Sequence, residues 1–171
     1  MPKQQTVPPQ LLDMVDNLYL LGRQTRAMES SPRHYGGEVL LYPNEAYTLK
    51  MIAQNPGINH TELCEQMFRT KGATSAVVRK LKQKGMIEQR DDEKDSRFSH
   101  LYATEKGEQV YRNHLEYDRK YIEKLLKRLD VSTEELEVMN NVLRMINQDV
   151  IRRYRERGAG LVCYCYFFRS S

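Results

Sequence analysis

Apolar positions in this chain recur at helical spacing over most of its length and alternate over one short stretch. After Pro8 and Pro9, Leu11, Val15, Leu18 and Thr25 line one side of a helix predicted over residues 10–30, and Leu12, Tyr19 and Met28 broaden it. Ser30, Ser31, Pro32, Gly36 and Gly37 break that helix and make a loop. Pro43 suits the first turn of a second helix, in which Ala46, Leu49, Ile52 and Ala53 keep the spacing until Asn55-Pro56-Gly57 stops it.

Asn59 with Glu62 three residues on is a capping-box pattern, with Asn in place of the usual Ser or Thr. It opens a short helix to about residue 68 that buries Leu63, Met67 and Cys64. A turn at Arg69-Thr70-Lys71 leads to another helix over residues 72–84, closed by Gly85 as a C′ glycine. Thr74, Val77, Val78 and Leu81 share one face of it; Lys71, Ser75, Ala76, Arg79 and Lys82 fall outside that face. Small residues at 72, 73, 75 and 76 allow close approach of another surface. Residues 86–90 and 97–103 read as two strands around the polar tip Asp91-Asp92-Glu93-Lys94-Asp95-Ser96.

Thr104 caps a long helix over residues 105–129, whose apolar line is Tyr111, Leu115, Ile122, Leu125 and Leu129. Ser132 with Glu135 caps the last helix. There Leu136, Met139, Leu143, Ile146 and Val150 form a narrow seam that suits helix-to-helix pairing more than broad core burial. The expected fold is mainly α with a small β-wing: a winged helix-turn-helix plus a helical dimerisation region.

Composition narrows the class. A chain of 171 residues with 40% hydrophobic and 29% charged positions suits one globular domain with a modest core, so some apolar helix faces need a second subunit. No apolar run approaches a membrane span, and MPKQQTVPPQ lacks the apolar segment of a secretory signal, so a cytoplasmic location is expected. Cys64, Cys163 and Cys165 make no disulfide framework. There is no G-x-S-x-G, no P-loop and no His–carboxylate pairing, so no enzyme and no cofactor are expected.

Charge adds a function. Residues 69–90 carry Arg69, Lys71, Arg79, Lys80, Lys82, Lys84 and Arg90 against one acid, Glu88; the segment is +6 and the rest of the chain −2. The positive balance sits where a helix would meet phosphates, the footprint of nucleic-acid binding.

These segments carry a family resemblance. LYPNEAYTLKMIAQNPGINHTELCEQM and KLKQKGMIEQRDDEKDSRFSHLYATEKG are similar to the helix-turn-helix and wing of MarR-family transcriptional regulators. The wing pattern is present without gaps as Arg90, Asp95, Arg97, Thr104 and Gly107. The resemblance covers about residues 40–107. It departs at Ala103, where the family has Leu, and at Gly72, which costs helix stability. It implies a homodimer built from the first and last helices, a pseudo-palindromic double-stranded DNA operator and, often, a regulatory small-molecule ligand.

The expected DNA-contacting residues are Thr70, Lys71, Gly72, Ser75, Ala76 and Arg79 on the recognition helix, Arg90, Lys94, Asp95 and Arg97 in the wing, and His60 early in the preceding helix. A helix fits the major groove, and Arg79 can reach a guanine or, equally, a phosphate. A hairpin tip can place Arg97 in the adjacent minor groove, with Asp95 holding its guanidinium; an ordinary surface ion pair is the plainer alternative. The acids of the tip orient cations or stay in solvent, and no metal site is expected. Histidines 34, 60, 100 and 114 are scattered, with no two at i, i+4. A crevice between the dimer helices and the DNA-binding lobe is the expected effector site, lined by Tyr19, Tyr47, Tyr111 or Tyr117.

The expected organisation is a dimerisation helix and loop at 9–41, a DNA-binding domain at 42–104, dimerisation helices at 105–157 and an apolar tail at 158–171. Two other readings stay open: a redox- or metal-responsive regulator using Cys163 and Cys165, and a winged helix serving protein interaction.

Overall fold

The computed structural model describes residues 7–35, 38–92 and 99–156. Helix α1 is Pro9–Met28, followed by the short strands β1 (Arg33–His34) and β2 (Leu40–Leu41). Helix α2 (Pro43–Gln54), strand β3 (Ile58–Asn59), helix α3 (His60–Gln66) and helix α4 (Lys71–Gln83) come next. Strands β4 (Ile87–Asp91) and β5 (Ser99–Ala103) form the wing hairpin, and helices α5 (Glu105–Leu129) and α6 (Thr133–Glu156) complete the chain. The fold is mainly α with a small β-wing, a winged helix-turn-helix with long flanking helices. No helix among the described residues is long and apolar enough to cross a membrane.

Local chemistry explains most boundaries. Asn59 accepts from the backbone N–H groups of Thr61 and Glu62, and Glu62 returns a bond to the Asn59 N–H. Thr70 caps α4 by accepting from Ala73 N–H, and Gly85 ends the following turn at φ 69. Thr104 accepts from Gly107 N–H at the start of α5 and donates to the Gly85 carbonyl. Ser132 and Glu135 cap α6 reciprocally.

Three expectations need correction. The segment between the first two helices contains a small antiparallel pair, with Arg33 opposite Leu41 and His34 opposite Leu40. The wing has a third strand: β3 pairs with β5, giving the order β3-β5-β4. The short helix ends at Gln66, because Phe68 turns left-handed (φ 50) and Arg69 N–H returns to the Cys64 carbonyl.

The core lies between residues 35 and 110. Leu41, Leu49, Ile52, Leu63, Leu81 and Met86 are fully enclosed, with Ile58, Val77, Val78, Ile87, Leu101 and Val110 around them. The expected inner face of α4 is the buried one, Thr74, Val77, Val78 and Leu81. The start of α5 packs tightly on this core: a Cβ at Gly107 would lie 1.9 Å from the Met86 carbonyl oxygen. By contrast, α1 buries no side chain, and Leu115, Ile122, Leu125 and Leu129 of α5 stay exposed.

Candidate nucleic-acid interface

Helix α4 carries the site. Burying one face of it turns Lys71, Gly72, Ala76 and Arg79 to the outside, with Ser75 half-buried beside them. The helix holds no acid, and neither Lys71 nor Arg79 meets one among the described residues. A Cβ at Gly72 would meet nothing within 4 Å, so the protein's own packing does not demand glycine there.

Thr70 stands at the helix N-terminus, where unpaired backbone N–H groups and the helix dipole favour an anion. Its hydroxyl oxygen accepts from Ala73 N–H at 3.1 Å, leaving its own proton to donate.

His60 lies behind this face. Its Nε2 is 2.9 Å from Ser75 Oγ, and its Nδ1 is 3.6 Å from Cys64 Sγ. Burial, and then the charge of Lys71, hold its pKa below the ordinary value, so the imidazole is neutral near pH 7. His60 therefore joins α3 to α4 through Ser75, a link that a separation of fifteen positions hides in the sequence.

The positive segment is less uniform than its +6 suggests. Lys84 points inward: its ammonium lies 2.6 Å from Glu45 Oε2 and donates to the Leu40 carbonyl at 2.9 Å. Lys82 donates to Gln89 Oε1, and Lys80 stands over the Tyr42 ring. Arg90 donates through Nε to Glu88 Oε1 at 2.9 Å, with its guanidinium 4.5 Å from the Tyr102 ring centroid. The cations most open to a new anion are thus Lys71 and Arg79, with Arg69 nearby. Lys94, Asp95 and Arg97 lie outside the described residues.

A depression of about 410 Å³ opens beside the same helix, lined by Asn44, Phe68, Arg69, Thr70, Ala73, Ala76, Val77 and Lys80. Asn44 and Phe68 carried no signal in the sequence, because the start of α2 reaches this place only through the fold. None of Tyr19, Tyr47, Tyr111 and Tyr117 lines it.

Those tyrosines are dispersed over α1, α2 and α5. Tyr117 meets Tyr35 edge-on, with ring centroids 5.5 Å apart. Tyr35 also meets the His114 ring at 4.5 Å. His114 is buried, its Nε2 3.4 Å from Asp118 and its Nδ1 without a hydrogen-bond partner among the described residues.

Comparison with known proteins agrees with this geometry. Residues 41–97 match a family model described as "MarR family". Over 98 residues the chain is 30% identical to the HTH-type transcriptional regulator YybA of Bacillus subtilis (strain 168), spanning 57% of this chain and 65%, just under two thirds, of that relative. Its fold is similar to that of Streptococcus pneumoniae FabT, solved in complex with DNA, at TM-score 0.65 and 25% identity over 80% of this chain and 96% of that one. It is also similar to the transcriptional regulator SlyA, at TM-score 0.73 and 23% identity over 82% and 97% of the two chains.

Proposed function

We propose that this chain is a MarR-family regulator of transcription, dimeric and sequence-specific, that binds double-stranded DNA and represses by occupying a promoter; the match of residues 41–97 to the family model supports this. The observation that carries this reading is the outer side of α4: Lys71 and Arg79 flank the small residues Gly72 and Ala76, with no acid on the helix. Cations favour a polyanion, and small side chains let the backbone sit deep in a groove. The DNA complex of FabT supports the assignment by likeness.

In this reading α4 enters the major groove. Lys71, Ser75 and Arg79 reach base edges or phosphates, and Thr70 meets a phosphate at the helix N-terminus. Arg90 and the tip residues Lys94, Asp95 and Arg97 serve the adjacent minor groove. Residues 42–104 would be the DNA-binding unit; 9–41 and 105–157 would pair two copies. Apolar side chains left open on α1, α5 and α6 support that pairing. A dimer would present its recognition helices roughly 34 Å apart, one DNA turn, to matching half-sites.

A small-molecule effector would release the DNA by preferring a dimer geometry that does not fit this spacing. The Tyr35–His114–Tyr117 cluster, where α5 passes the loop before α2, supports a ligand site there and brings in only Tyr117 of the expected tyrosines. Cys163 and Cys165, the basis of the thiol-sensor reading, lie outside the described residues.

The test is a salt series on random-sequence DNA and on the region upstream of the chain's own gene. Log affinity should fall steeply with log salt, with a specific site preferred. Arg79→Ala and Arg97→Ala should each weaken that site roughly tenfold. No binding at low salt by a dimeric sample would reject the reading in favour of a protein-interaction module.

A further inference from the structure

His100 sits at the middle of the wing sheet, opposite Arg90 of β4 on one side and Asn59 of β3 on the other. Its two ring nitrogens face two acceptors. Nδ1 is 2.8 Å from the Gly57 carbonyl oxygen, and Nε2 is 2.9 Å from Asp92 Oδ2. A carbonyl only accepts, and so does an ionised carboxylate, so each contact requires an N–H on the ring. A neutral imidazole has one N–H. Only the imidazolium makes both bonds.

We propose that His100 is a protonation-dependent positioning residue for the wing. As imidazolium it ties the end of β4, at Asp92, to the Gly57 turn before β3; as neutral imidazole it holds one of the two and lets the hairpin swing. The clamp stands on its own geometry; its effect on DNA rests on the function proposed above.

The surroundings fit. Asp92 and, from α3, Glu62 both favour the charged ring. Arg90, its cross-strand neighbour, has its guanidinium over Tyr102 and bonded to Glu88. The Gly57 carbonyl is presented by a turn at φ 85, a backbone region that glycine tolerates best, and a Cβ there would meet the Tyr102 hydroxyl at 3.1 Å. The bond to Asp92, then the bond to Gly57, raise the His100 pKa above its ordinary value. A raised histidine pKa sets the sign: the clamp is complete below the ordinary imidazole value and is lost as pH rises through the raised one.

The experiment follows the His100 ring by NMR across pH in the full chain, in wild type and Asp92→Asn. It then measures affinity at constant ionic strength for a duplex that the wild type selects from a random pool. His100 should titrate above the ordinary imidazole value, and Asp92→Asn should bring it down. Wild-type affinity should fall roughly three- to tenfold as pH rises through that titration, the scale of a lost charge-assisted hydrogen bond. His100→Gln should lack that fall and bind at the wild type's high-pH level. Titration at or below the ordinary value, or no change in Asp92→Asn, overturns the clamp. So does a His100→Gln protein that keeps the wild-type pH profile. A wild type that binds no DNA at any pH, yet titrates as expected, removes the DNA reading and leaves the clamp standing.

Discussion

Two regions of this chain are built on opposite terms. Between residues 35 and 110 every helix buries a face, and Leu41, Leu49, Ile52, Leu63, Leu81 and Met86 close a core with no outside help. In α1, the far half of α5 and α6, many apolar side chains of similar size stand in the open, and others such as Leu18, Leu136 and Leu143 are only half-buried. Val138 is 65% and Met145 69% exposed, and no residue of α1 is buried. A helix with nothing to pack against draws little stability from propensity alone. The lobe closes its own core, whereas the flanking helices leave apolar side chains uncovered, a face that in our reading a second copy would cover.

The same substitution in both regions sharpens the contrast most. Gly107→Ala places a methyl group 1.9 Å from the Met86 carbonyl oxygen, so the start of α5 must move off the lobe. A gain in helix propensity of about 1 kcal/mol offsets only part of that. Net destabilisation should be about 2–4 kcal/mol, lowering Tm by roughly 5–10 °C. Gly22→Ala in α1 meets nothing within 4 Å and should be neutral or stabilising. Thermal melts of the two proteins decide the matter. A Gly107→Ala protein melting with the wild type would mean that the lobe's packing is looser than described.

The opposite region is broken with a charge. Met145→Glu puts a carboxylate at a large apolar position of α6 that is 69% exposed. If that face meets a second copy, burying the charge should cost about 2–3 kcal/mol and weaken dimerisation roughly a hundredfold. Light scattering across a dilution series should then show monomers, while the far-ultraviolet signal of the lobe persists. A dimer as tight as wild type would place the pairing surface elsewhere.

The two regions also differ in how much of them the sequence reveals. Asn59 with Glu62, Thr104, Gly85, and Ser132 with Glu135 are legible because each acts on backbone within a few residues of itself. The inner face of α4 is legible because one helical period separates Thr74, Val77, Val78 and Leu81 from Lys71 and Arg79. What escapes is non-local. Strand β3 is two residues long and exists only because Leu101 and His100 come alongside it. Lys84 counts as a phosphate-facing cation until Glu45, 39 positions away, draws it inward. Phe68 takes a left-handed turn that no glycine announces.

Where the two regions meet, His114 offers the smallest and most local test. It is 8% exposed, with its ring against Tyr35 and its Nε2 toward Asp118, which in turn lies 3.9 Å from Lys50 of α2. Burial lowers its pKa most; Asp118 opposes the shift and Lys50 adds to it. The folded protein therefore binds this proton less readily than the unfolded chain. Stability from the neutral ring is intact above the ordinary imidazole value and declines as pH falls below it, by at most about 1.4 kcal/mol per pH unit. His114→Phe keeps an aromatic ring against Tyr35, removes the unpartnered Nδ1 and cannot titrate. Urea unfolding from pH 7 to 5 should show a shallower loss of stability for His114→Phe than for wild type. Parallel losses would mean that His114 reaches water and that the joint between lobe and long helix is open.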